Sequence, residues 1–270
     1  MSNVLIILGM HRSGTSLISG WLSKCNLNLG DRNVVPDTFN KTGYFEDLDF
    51  LDLHEEILEY YKINKTGLIP PYDFELDEDC YKKLKNNIEL KNSLYKQWGW
   101  KEPRTCLFIN YYRELLPSAK YLIVYRDYKF VVESLIRRDY IYINTRYKSL
   151  SESEQAKQYK YFKKNVERLQ LFINVYLSAW IIYNQNIIDL TNSINDNDYV
   201  IIRYDKLIGN DNALFERLIQ WGFKLKFSPF TSIFDPQLIN EKLPDITFNL
   251  QLESRALEIK TKMMDLLNYQ

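Results

Sequence analysis

The sequence predicts an α/β fold, a three-layer sandwich with a central, mostly parallel sheet between helices. Three observations predict it. Short apolar runs at Val4–Leu8, Lys120–Tyr125 and Tyr199–Arg203 each suit one buried strand. Helix-like segments separate these runs, as crossover connections in a parallel sheet require. The first run opens directly into GMHRSGTS, Gly9–Ser16, a glycine-bounded turn followed by helical spacing of Leu17, Ile18, Trp21 and Leu22.

The elements follow in order. Val4–Leu8 is the first strand, and Thr15–Lys24 the first helix. Residues 26–43, rich in Asn, Gly, Asp and Pro, read as loop. An amphipathic helix is expected from Asp47 to about Lys62. The Pro70-Pro71 pair makes residues 64–77 irregular. A polar helix over 78–97 leads to WGWKEPRT, residues 98–105, a short strand or turn ending in charge. A helix over 105–116 stops at Pro117, and the strand Lys120–Tyr125 feeds a helix over 127–138. Residues 139–150 read as loop. Residues 151–190 hold no Gly or Pro and predict one long or kinked helix. The run 195–198 is a turn before the strand Tyr199–Arg203. A short helix over 212–221, an irregular stretch over 224–249 and a helix over 250–268 complete the chain. Four charged or Gly-rich segments, 9–16, 101–104, 126–127 and 203–205, fall just after strand-like runs. Ligands bind there in such sheets.

Composition narrows the classes. The 270 residues, 46% hydrophobic, suit a single domain over 1–270. Lys plus Arg and Asp plus Glu both number 35, which disfavours a broad nucleic-acid surface but not a local anion pocket. Cys25, Cys80 and Cys106 are too scattered for a disulfide framework or a zinc site, and His11 and His54 are too few for a His-rich metal centre. MSNVLIILG reads as a strand, not a signal peptide. The apolar stretch LSAWIIYNQNII is interrupted and too short to span a membrane. A soluble, reducing, cytoplasmic setting is expected. Tyrosine is abundant, at 21 residues, and its rings could line a glycan cleft. A compositional preference for Tyr, Asn, Ile and Lys is the simpler account.

GMHRSGTS nearly fits the phosphate-loop template G-x-x-x-x-G-K-[ST], but Thr15 stands where the lysine belongs and Arg12 lies inside the loop. Backbone N–H groups at a helix start, with Ser13, Gly14, Thr15 and Ser16, suit an anion. A bare strand-to-helix turn, with Ser13 or Thr15 as N-cap, is the plainer alternative. Losing the lysine removes a principal part of triphosphate chemistry. A single 5′-phosphate linked to a leaving group needs less, and Arg12 can grip its bridging oxygen.

The loop resembles the 5′-phosphosulfate loop of sulfotransferases that use 3′-phosphoadenosine 5′-phosphosulfate (PAPS). It is most similar to the branch with Arg in place of Lys, which includes bacterial and protein-tyrosine sulfotransferases. YLIVYRDYKFVVESLIRR, 121–138, resembles that family's 3′-phosphate motif, a strand ending in Arg and a helix carrying Ser eight residues on. Arg126 and Ser134 match those positions, and Arg138 lies one turn beyond Ser134 on the same helix. The resemblance is specific over about residues 1–140. It implies a P-loop NTPase-like fold, PAPS as donor and no metal requirement.

Sulfuryl transfer needs a base for the acceptor proton and positive charge on the leaving side. TGYFEDLDF, 42–50, is similar to a segment whose glutamate serves as base in tyrosine sulfotransferases, which points to Glu46. Asp47 fits the N-cap of the next helix. His54 is the rival base, since some sulfotransferases use histidine. WKEPRT resembles a K-[DE]-P segment whose lysine stabilises the transferring sulfonate. That implies such a role for Lys101, with Arg104 either on the acceptor or paired with Glu102. RYDKLIG, 203–209, reads as structural, and the segment 227–243, with Lys242, could close the adenine site.

The leading expectation is therefore sulfonate transfer from PAPS to a hydroxyl of a carbohydrate or glycoconjugate. Arg12, Glu46 and Lys101 would be catalytic. Arg12, Ser13, Gly14, Thr15, Ser16, Arg126, Ser134 and Arg138 would bind the donor. The alternatives are a P-loop kinase of a small metabolite, which would need a divalent metal, and an inactive protein that keeps PAPS or its bisphosphate product as ligand. The expected partner is a small-molecule or glycan acceptor, bound through loops 30–45, 64–77 and 139–150, with no nucleic acid and no membrane span.

Overall fold

The computed structural model describes residues 2–32, 45–234 and 246–268. Residues 33–44 of the first expected acceptor loop and Lys242 of the expected adenine loop lie outside the described residues.

The element order is β1 (Asn3–Leu8), α1 (Thr15–Lys24), α2 (Leu48–Tyr60), α3 (Glu78–Leu94), β2 (Gln97–Lys101), α4 (Ile109–Leu115), β3 (Lys120–Val124), α5 (Tyr128–Lys148), α6 (Glu152–Thr191), β4 (Tyr199–Ile202), α7 (Asp211–Gln220) and α8 (Leu250–Asn268). The four strands form one sheet in the order β2-β1-β3-β4, and every neighbouring pair is parallel. This is the expected α/β sandwich. The stretch around residue 98 is a full strand at the sheet edge.

β1 explains why its sequence is apolar without alternation. Val4, Ile6 and Leu8 point into one core, with α2, α3, α4, α6 and α8. Leu5 and Ile7 point into the other, with α1 and α7. A strand covered on both faces must be apolar at every position. The larger core is built on rings: Phe50 stacks on Trp100 with centroids 4.3 Å apart, and both are fully buried.

Local signals fix the helix starts. Asp47 caps α2 by accepting from the Asp49 amide at 2.9 Å, and Lys91 on α3 binds the other Asp47 oxygen at 2.6 Å. Ser151 and Glu154 form a reciprocal capping box at the start of α6. The residues with no Gly or Pro form one helix of 40 residues.

One expectation is corrected. Residues 139–148 are not a loop: α5 runs through them to Lys148, and α6 returns alongside after the turn at Ser149–Ser151. The two helices support each other there through the Tyr147–Phe162 stack, with centroids 4.3 Å apart. Among the described residues, no helix is long and apolar enough to cross a membrane.

Candidate functional site

The charged groups singled out in the sequence gather beyond the carboxyl ends of the strands. Register pairs Ile7 with Lys101 and Leu8 with Ile123, so Lys101 ends β2 level with the loop entrance and Arg126 leaves β3 on the other flank. Two glycines shape the loop between them. A Cβ on Gly9 would fall 2.6 Å from the Val124 carbonyl oxygen, so only glycine lets the loop leave this close to β3. Gly14 precedes α1 with φ +95, and a Cβ there would meet the Tyr204 ring at 2.5 Å. Gly14 itself is the N-cap, and no side chain caps α1. Ser13 and Thr15 are buried in the loop but are not caps. The helix therefore starts with backbone N–H groups that no side-chain cap satisfies.

Arg12 adopts φ +68, uncommon for a residue with a side chain. Contacts to its carbonyl and to its side chain hold it. Arg126 Nη1 donates to its carbonyl oxygen at 2.8 Å, and its own Nε donates to Ser134 Oγ at 3.0 Å. Arg12, Arg126 and Ser134, expected at opposite ends of one nucleotide, thus form one hydrogen-bonded group, with Ser134 buried beneath Arg12. The Arg126 guanidinium also lies 5.6 Å from the Tyr204 ring centroid and 5.7 Å from that of Phe130. Arg138 turns away from this group, with Nε and Nη2 on Asp139 at 3.0 and 2.9 Å, and Asp139 also accepts from the Tyr176 hydroxyl.

On the other flank, Lys101 Nζ donates to Glu46 Oε1 at 2.6 Å and to Ser16 Oγ at 3.3 Å. Lys101 is 1% exposed. Burial pulls its ammonium pKa below the usual lysine value, against the opposing pull of Glu46. A desolvated ammonium beside the first turn of α1 can meet a negative group in the loop. Lys101, Glu102 and Arg104 are all buried, and Arg104 pairs with Glu102. Glu102 receives the Arg104 guanidinium and contacts His54 Nδ1. Burial alone would raise the Glu102 carboxyl, but Arg104 and His54 hold it down to about 2. Arg104 also donates to Glu55 at 2.8 Å and to the Lys65 carbonyl at 2.6 Å, which ties the 64–68 segment to the core.

That network decides the role of His54. Its ring is fully buried against Phe108, and its other nitrogen, Nε2, lies 2.7 Å from the Tyr112 hydroxyl. Both ring nitrogens are committed to structure, so His54 is not placed to take a substrate proton. His11 differs. Its buried Nε2 has no hydrogen-bond partner. Burial, then Arg104, holds its pKa well below the usual histidine value.

Sequence reasoning missed Tyr204. Its ring sits against Gly14 and Arg126. The usable signal was its position directly after a strand end, like that of Arg126. Phe230 and Phe234 pack inward instead, with Phe230 buried edge-on to Trp21 at 6.0 Å, while Phe227 is exposed. Among the described residues, no group of three or more His, Cys, Asp or Glu is arranged to hold a metal ion.

Comparison with solved structures places this fold among sulfotransferases. Sulfotransferase STF9 from Mycobacterium avium matches with a TM-score of 0.53 and 14% identity, over 100% of this chain and 77% of that one. A sulfotransferase domain from the curacin biosynthetic pathway matches with a TM-score of 0.51 and 14% identity, over 98% of both chains. No family model matches the chain, and no curated protein matches it by sequence. At these identities the likeness establishes the fold, an α/β sandwich of the sulfotransferase type.

Proposed function

We propose that this protein transfers a sulfonate group from PAPS to a hydroxyl of a carbohydrate or glycoconjugate acceptor. The observation that carries the reading is the pair of bonds that joins Arg12 to both Arg126 and Ser134. It unites the glycine loop and the strand-end arginine into one cluster of anion-binding groups.

The residues present fit such a donor. Backbone N–H groups of Ser13–Ser16 and the Arg12 guanidinium would hold the 5′-phosphosulfate, and Arg126 and Ser134 the 3′-phosphate. Arg138 would join them by giving up part of its contact with Asp139. Tyr204 would cover the nucleoside side of the loop. In the transfer, Glu46 accepts the acceptor hydroxyl proton as its oxygen bonds to sulfur. The bond from sulfur to the 5′-phosphate oxygen breaks, and adenosine 3′,5′-bisphosphate leaves with the negative charge. Arg12 and Lys101 stabilise that charge. Lys101, now bonded to Glu46, would move toward the sulfonate when donor binds. That frees Glu46 to act as base.

The test is binding without magnesium. Adenosine 3′,5′-bisphosphate should raise the melting temperature in the presence of chelator, and adenosine 5′-phosphate should raise it far less. Arg126→Ala should remove the difference, through a loss of roughly a hundredfold in bisphosphate affinity. Equal binding of the two nucleotides by the unmodified protein would refute the reading. A requirement for ATP and magnesium would favour a kinase. Glu46→Gln should lower turnover about 10²–10⁴-fold and leave bisphosphate affinity unchanged. Unaltered turnover would take the base role from Glu46.

A further inference from the structure

The helical hairpin of α5 and α6 extends well past the core. No residue of α5 beyond Leu135 is buried, and none of α6 before Leu169. The intervening stretch, 136–168, is an arm whose two helices pack mainly on each other. Its charge is unlike that of the chain. It carries nine Lys and Arg against four Asp and Glu, an excess of five in a protein whose net charge is zero. It also exposes rings that the core does not use, among them Tyr142 at 56% and Tyr161 at 64%.

Charge and rings meet in one cleft of 440 Å³ between the helices. Tyr142 and Arg146 line it from α5, and Tyr161 and Arg168 from α6, around the Tyr147–Phe162 stack. No carboxylate lines it. Neither Arg146 nor Arg168 has an ion pair among the described residues. Two guanidiniums facing one cleft from opposite helices form a two-point carboxylate or sulfate receptor. The cleft begins one helical turn past Arg138, on the helix that also carries Ser134.

We propose that this arm binds an acidic glycan, a chain of sugar acids or sugar sulfates, and delivers its hydroxyls to the site at the arm's root. Tyrosine rings cover the C–H faces of the sugars, and the paired arginines take the acidic groups. Lys157, Lys160, Lys163 and Lys164 extend the positive surface along α6. A nucleic acid fits less well. Its backbone calls for a broad basic face, whereas this arm is narrow and the rest of the chain is acidic enough to balance it. That the bound glycan is also the acceptor rests on the sulfonate-transfer reading above. That the arm binds it does not.

The probe is a pectin-derived hexagalacturonate, titrated by calorimetry at low salt, with maltohexaose, oligo-dT and phosphatidylserine vesicles as comparisons. Hexagalacturonate should bind, and maltohexaose should not. The Arg146→Gln/Arg168→Gln double variant should lose at least tenfold in hexagalacturonate affinity. Its melting temperature and its affinity for adenosine 3′,5′-bisphosphate should stay unchanged, because both side chains lie outside the core and the nucleotide cradle. Tyr142→Ala/Tyr161→Ala should weaken binding at unchanged salt dependence. The proposal is overturned if hexagalacturonate does not bind, if the double variant binds it equally, or if oligo-dT or vesicles bind the arm more tightly. Glycan binding without bisphosphate binding would leave the arm assignment standing and remove the sulfonate-transfer reading.

Discussion

Lys101→Met is expected to reduce turnover by about 10²–10³-fold while affinity for adenosine 3′,5′-bisphosphate changes little. Lys101 is the buried cation at the end of β2, in contact with both Glu46 and Ser16. Methionine nearly matches its length and removes the charge and its bonds to Glu46 and Ser16. The bisphosphate lacks the sulfonate, so a group that acts on the sulfonate should not affect its binding. Turnover is read as bisphosphate release from PAPS with an acidic oligosaccharide as acceptor. Turnover within threefold of the unmodified protein would show that Lys101 serves only as the counter-ion of Glu46. A parallel fall in bisphosphate affinity would instead make it a nucleotide-binding group.

Glu102→Gln should be the most destabilising of the conservative changes near the site. Glu102 is fully buried and neutralises Arg104 while holding His54 in place. Removing one partner of a buried charge network costs about 3–5 kcal/mol, because the remaining charge is left uncompensated. In a domain of this size that lowers the melting temperature by roughly 10 °C. The pH dependence has a definite sign. The folded-state carboxyl titrates at about 2 against an ordinary value of 4.5. Its contribution is fully present above about pH 4.5 and is lost as pH falls toward 2. The unmodified protein should therefore lose stability steeply over that window, and the variant should show a shallower fall. Identical acid-unfolding curves would mean that the Arg104 charge is balanced by Glu55 alone.

Much of the site could be read from the sequence because its parts sit at fixed distances from strand ends. Gly9, Arg12 and Ser16 follow β1, Lys101 ends β2, and Arg126 follows β3. A parallel sheet brings those ends together whatever the intervening loops do. Ser134 was singled out only by the resemblance of residues 121–138 to a known motif, and in the structure it lies two turns into the helix after β3 and accepts from Arg12. Arg104 and His54 were ambiguous because their roles depend on contacts between distant segments. Arg104 joins Glu102 to the Lys65 carbonyl and Glu55, and His54 bridges Glu102 and Tyr112. No spacing rule links those residues. The stretch 139–148 was misread as loop for a related reason. Residues 139–148 have no core-facing stripe, since their helix is held by α6 and not by the sheet.

The sequence by itself determined the strands, the crossover helices, the glycine loop and the charged residues at the strand ends. These follow from apolar run length, from the backbone freedom of glycine and from the directionality of a parallel sheet, all of which act locally. Only the tertiary structure decided that Arg12 is gripped by both Arg126 and Ser134, that His54 is sealed in the core, and that a basic aromatic arm stands outside it. Those outcomes depend on which distant side chains meet once the two cores close, and burial then sets each charge's partner.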